Sequence, residues 1–105
     1  MTVEHQHNTV TITPRTLKGL PILARLHREL QHALSNTHIH TIHFDFAHIQ
    51  QLDFTTASMI ALCHDYTDRH AKKLKIINCA HPVRATLHDF LPLIAPQLQT
   101  VSTHA

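Results

Sequence analysis

Leu52-Asp53-Phe54-Thr55-Thr56-Ala57-Ser58 joins two segments of different periodicity, and its reading decides the fold. Upstream, Thr41-Ile42-His43-Phe44-Asp45-Phe46 alternates with period two, which predicts a strand over 40–46 that buries Ile42, Phe44 and Phe46. Downstream, a helix is predicted over 57–70. Ala57, Ile60, Ala61 and His64 share one stripe of it, Met59, Leu62 and Cys63 widen that stripe, and Asp65, Asp68 and Arg69 are polar. Leu74-Lys75-Ile76-Ile77-Asn78-Cys79 then reads as a second strand. Strand, loop, helix and strand form a βαβ crossover, with two parallel neighbouring strands under one helix. The loop entering the helix holds the chain's densest group of small hydroxyls beside a carboxylate: Asp53, Thr55, Thr56 and Ser58.

Working outward, residues 2–4 and 9–13 pair as a hairpin around the polar 5–8, and Pro14 ends the second strand by removing a ladder donor. A helix is predicted over 20–34. Pro21 suits its first turn, and Leu23, Leu26, Leu30, Ala33 and Leu34 recur on one face away from Arg25, Arg28 and Gln31. Ser35-Asn36-Thr37 ends it. Pro82 opens a last long helix repeating Val83, Thr86, Leu87 and Phe90, which Leu91-Pro92 stops. Residues 93–98 read as a short apolar turn or helix and 99–105 as a loose tail. No repeat or linker interrupts the chain, so residues 1–105 are expected to form one domain with a central sheet.

A chain of 105 residues with 43% hydrophobic composition can bury a real core, roughly two-thirds of its unfolded surface. A formal net charge of +2 is too small, and the basic residues too scattered, for a nucleic-acid partner. Lys72-Lys73-Leu74-Lys75 is the one basic run, and it fits the solvated end of a helix. No apolar run is long enough to cross a bilayer, no signal peptide is apparent, and Cys63 and Cys79 read as buried reduced thiols. A cytoplasmic protein is the expectation. Thirteen histidines make the net charge soft near pH 6 to 7.

Thr55 or Thr56 is expected to cap the helix, its hydroxyl accepting from a backbone N–H. The functional reading of the same residues is a hydroxyl presented to a partner at the positive end of a helix. The histidines lack metal spacing: His5 and His7, or His38 and His40, share a period of two, but no His-x-x-x-His or Cys-x-x-Cys supplies three or four converging ligands. Cys79 with His81 lacks a residue to orient the base. No phosphate-binding glycine loop or dinucleotide fingerprint occurs, and Gly19 is the only glycine. No enzyme activity, metal or cofactor is expected.

The stretch 41–90 resembles the STAS domain, the module of anti-sigma-factor antagonists. The matching pieces are Phe44-Asp45-Phe46, Leu52-Asp53-Phe54-Thr55-Thr56, the helix through Met59-Ile60-Ala61-Leu62, Lys73-Leu74-Lys75-Ile76-Ile77-Asn78, and Val83 to Leu87. The spacing from Asp53 to Ile77 is most similar to the STAS subunit of the Mla-type phospholipid-transport ABC complex, as is the Leu91-Pro92 break. Phe54 stands where those subunits carry a threonine, and Thr56 where the family carries glycine.

The resemblance implies an α/β, STAS-like domain: a mixed sheet of four to five strands with helices mainly on one face. It implies a non-catalytic subunit that binds and supports the transporter ATPase, held at the inner membrane through partner subunits. The docking rim would comprise Asp53, Thr55, Thr56, Ser58, Met59 and His48. The alternative it implies is an anti-sigma factor antagonist, bound by an anti-sigma factor kinase and switched off by phosphate on Thr55.

Overall fold

In a computed structural model that describes residues 1–90, four strands and three helices alternate in the order expected of an α/β domain. Strands β1 (Thr2–Gln6) and β2 (Thr9–Thr13) form the antiparallel hairpin, pairing Gln6 with Thr9 across a two-residue turn. His7 takes a positive φ of 56° in that turn, a conformation usually left to glycine or asparagine. The chain then runs through α1 (Leu20–Ser35), β3 (Thr41–Asp45), α2 (Phe54–Arg69), β4 (Lys73–Ile77) and α3 (His81–Phe90). The sheet order is β1-β2-β3-β4, with β2, β3 and β4 mutually parallel. It is therefore a mixed sheet. The predicted break at Leu91-Pro92, the segment 93–98 and the tail 99–105 lie outside the described residues.

Register explains the core. Val10, Ile42 and Leu74 form one cross-strand row, and Ile12, Phe44 and Ile76 the next; all six are buried under the helices. Because side chains alternate along a strand, the opposite face carries Thr11, His43 and Lys75 in the row between them. All three helices bury their apolar residues on the first face: Leu26, Leu30, Ala33 and Leu34 from α1, Ala57 and Ile60 from α2, and Val83 and Leu87 from α3. On the other face, half-burial lowers the pKa of His43, Lys75 lowers it further, and Asp45 opposes both.

Two helix ends explain how the layers are held. Gly19, at φ 98° and ψ 145°, precedes α1 in backbone space that a side chain strains, and Pro21 follows in the first turn. At the far end of α1, Lys72 donates from Nζ to the carbonyls of Ala33 (3.0 Å) and Asn36 (2.6 Å). A cation there satisfies orphan carbonyls and offsets the negative helix end. The basic run at 72–75 thus ties the α2–β4 turn to α1.

Helix α2 ends in the same turn by a Schellman arrangement. Ala71 N–H donates to the Asp68 carbonyl at 2.9 Å and Lys72 N–H to that of Thr67 at 3.3 Å. Ala71 adopts φ 58° at the position where glycine is favoured.

Candidate functional site

Asp53, not Thr55 or Thr56, caps α2. Its backbone is extended (φ −80°, ψ 169°), and its Oδ1 accepts from Thr56 N–H at 2.7 Å. The helix therefore begins at Phe54, three residues before the predicted start, with the Ala57 N–H already donating to the Asp53 carbonyl at 3.0 Å. Hydrogen bonds from the backbone and side chain of Thr56 hold the Asp53 carboxyl below its usual pKa, and the nearby Lys18 charge adds to the effect.

The earlier start rotates the hydroxyls. Thr56, third in the helix, turns inward with Ala57 and Ile60 and is only 4% exposed. Little of its surface is therefore offered at the docking rim expected for that position. Thr55 is exposed at the second helical position. Ser58 is half-buried, and its Oγ donates back to the Thr55 carbonyl at 2.8 Å. Met59 is half-buried, while Asp53 and His48 are exposed. Of the six rim residues, Asp53, Thr55 and His48 are exposed, and Ser58 and Met59 in part.

The outward side of α2 is more apolar than its sequence pattern predicts. Leu62, expected in the core, is 67% exposed, and Phe54 is 73% exposed at the helix start. Tyr66 continues the same side one turn on, and Gln31 of α1 donates to its hydroxyl at 3.2 Å. Between α1 and α2 lies a groove of about 380 Å³ walled by Leu30, Met59, Leu62 and Tyr66, with His27 and Arg69 among its polar lining.

A second depression meets the start of α2. The β2–α1 loop, with Arg15, Lys18 and buried Leu17, faces the β3–α2 loop, with His48, Gln50 and Gln51, across a cleft of about 480 Å³. Asp53 and Thr56 line it too. At the ends of the parallel strands, Asp45 Oδ1 accepts from the Ala47 N–H (3.0 Å) and from Asn78 Nδ2 (3.1 Å), joining the loops after β3 and β4. Because the three described helices cover one face, the sheet has, among the described residues, no point where crossovers reverse direction, and the cleft forms between loops instead. Arg15 and Lys18 lie 38 and 35 residues before Asp53 in sequence, and nothing in their spacing announces the meeting.

Burial pushes both thiols, Cys63 and Cys79, up to about 11, so they stay protonated at neutral pH. Neither is in a disulfide. Among the described residues no three of histidine, cysteine, aspartate and glutamate converge as a metal set, and no helix is long and apolar enough to cross a membrane. The site is thus a polar loop cleft beside an apolar helix flank, on a small mixed-sheet α/β domain. No model of a protein family matches the chain, and a search of curated proteins finds no match to it.

Proposed function

We propose that this chain is a non-catalytic STAS-like binding subunit that docks on the ATPase of a phospholipid-transport ABC complex and supports its activity. It would act in the cytoplasm, held at the inner membrane by its partners. The observation that carries the reading is the outward side of α2: Thr55 in its first turn, with Phe54, Leu62 and Tyr66, all exposed on a helix whose opposite side is packed. Aromatic and large aliphatic residues on a rigid element are the usual anchors of a protein interface. Full burial of a leucine side chain is worth about 1.5–3 kcal/mol. Leu62, two-thirds exposed in the free chain, therefore has about 1–2 kcal/mol to gain at an interface. The test is co-elution of the purified chain with that ATPase. Leu62→Ala should weaken the complex about tenfold while leaving the chain folded, and unchanged affinity in both Leu62→Ala and Phe54→Ala would refute the reading.

The exposure of Thr55 also favours a second reading, an anti-sigma factor antagonist phosphorylated there. A phosphate in the first turn of α2 suits the helix dipole, yet it brings roughly two negative charges beside Asp53 and into any interface. Modification would therefore release the partner. Transfer of phosphate from ATP to Thr55 by an anti-sigma factor kinase, lost in Thr55→Ala, would select this reading over the first.

A further inference from the structure

The loop cleft beside α2 has features that protein docking along the helix flank does not use. One wall brings two exposed cations, Arg15 and Lys18, and the other two carboxamides, Gln50 and Gln51. The floor is closed by the buried Leu17, Ile49 and Leu52. At about 480 Å³ the cleft falls within the range of small-molecule sites and greatly exceeds a lone phosphate.

The positive end of α2 is already engaged by Asp53 Oδ1, so attraction for an anion comes from the two side-chain cations. The exposed Asp53 carboxylate retains acceptor capacity for hydroxyl donors, and each carboxamide both donates and accepts. Cations on one side with hydroxyl partners on the other complement a ligand that carries an anion and a polyol together. A simple anion would leave the carboxamides and Asp53 unmatched, and Asp53 would repel it.

We infer that the cleft between the β2–α1 and β3–α2 loops binds a phosphorylated polyol of glycerol phosphate type, with the phosphate on Arg15 and Lys18 and the hydroxyls on Gln50, Gln51 and Asp53. The ligand reaches the cleft either as a free metabolite or as a lipid headgroup. The inference stands apart from protein docking, because it is read on the isolated chain.

The test is calorimetric titration of the full chain with sn-glycerol 3-phosphate, inorganic phosphate and glycerol, alongside co-sedimentation with phosphatidylcholine vesicles with and without phosphatidylglycerol. Saturable one-to-one binding of glycerol phosphate, at least tenfold tighter than inorganic phosphate and weakened at least tenfold in Arg15→Gln/Lys18→Gln, supports a soluble source. Co-sedimentation only with phosphatidylglycerol vesicles, lost in the same variant, supports a headgroup source. Binding in neither arm, or binding that survives removal of both cations, overturns the inference. Amide-shift mapping on the unsubstituted chain guards against a misfolded variant: shifts should centre on 15–18 and 48–53, and shifts centred elsewhere would also overturn it.

Discussion

Thr55 and Thr56 are adjacent, chemically identical and oppositely placed, so glutamate at each position should behave very differently. At Thr55, exposed in the first turn of α2, a carboxylate gains about 0.3–1 kcal/mol from the helix dipole and loses a similar amount to the neighbouring Asp53 charge. The net change should stay within about 0.5 kcal/mol. At Thr56, 4% exposed, the new carboxylate would be stripped of water. Keeping it neutral at pH 7 against a reference pKa of about 4.3 spans some 2.7 units, or about 3.7 kcal/mol at 1.36 kcal/mol per unit. Overpacking adds about 1–3 kcal/mol.

A loss of about 4 kcal/mol or more is a large part of the roughly 5–15 kcal/mol that holds a domain together. With a urea slope near 1.5 kcal/mol/M, the midpoint of Thr56→Glu should fall by about 3 M or more, or the variant should not fold at all. That of Thr55→Glu should move by less than about 0.5 M. Urea unfolding followed by circular dichroism reads both. A Thr56→Glu chain as stable as the parent, or a Thr55→Glu chain that collapses with it, would refute the inward turn at residue 56. Thr55→Glu is accordingly the useful mimic of phosphorylation, because only there can loss of binding be separated from loss of fold.

Ala71 sits at φ 58° in the Schellman turn, so Ala71→Gly should raise stability by about 1 kcal/mol, seen as a higher urea midpoint; a fall would mean that the turn is not strained. Lys72→Met keeps the apolar stem but removes both hydrogen bonds to the end of α1, and should cost about 1–2 kcal/mol, with amide exchange rising first at 33–39. Burial lowers the pKa of His64, with Asp68 and Asp65 opposing, so the unfolded chain takes up its proton near 6.5 before the folded chain does. Stability should therefore fall as pH drops below 6.5 and level off below the folded pKa, more steeply in the parent than in His64→Gln. Half-buried His43 contributes in the same direction. Equal midpoints from pH 7.5 to 5 would contradict this.

The period-two run at 41–46 and the helical stripes of α1 and α3 made the sheet and its parallel pair legible, because burial on one face writes itself into spacing; the one-sided helical cover was an expectation of the family resemblance, not of the spacing. The start of α2 did not, since Phe54-Thr55-Thr56 are weak helix formers that read as loop, and only the Asp53 carboxylate at 2.7 Å from the Thr56 N–H reveals a helix already begun. That displacement of three residues carries Thr56 into the core. Leu62 misled for a different reason: an apolar residue near a buried stripe looks like more core, and exposure is a property of the neighbours, not of the residue. Ala71 concealed its left-handed turn because glycine, the usual signal, is missing there.

The outward side of α2, from Thr55 onward, is proposed to receive another protein. Amide and methyl shifts of the labelled chain, followed while the ATPase of a phospholipid-transport ABC complex is added, test it most directly. Perturbations are expected along Phe54, Thr55, Met59, Leu62 and Tyr66, with Thr11, His43 and Lys75 on the far side of the sheet unmoved. Perturbation of that far row with α2 silent, or no perturbation at saturating partner, would contradict it.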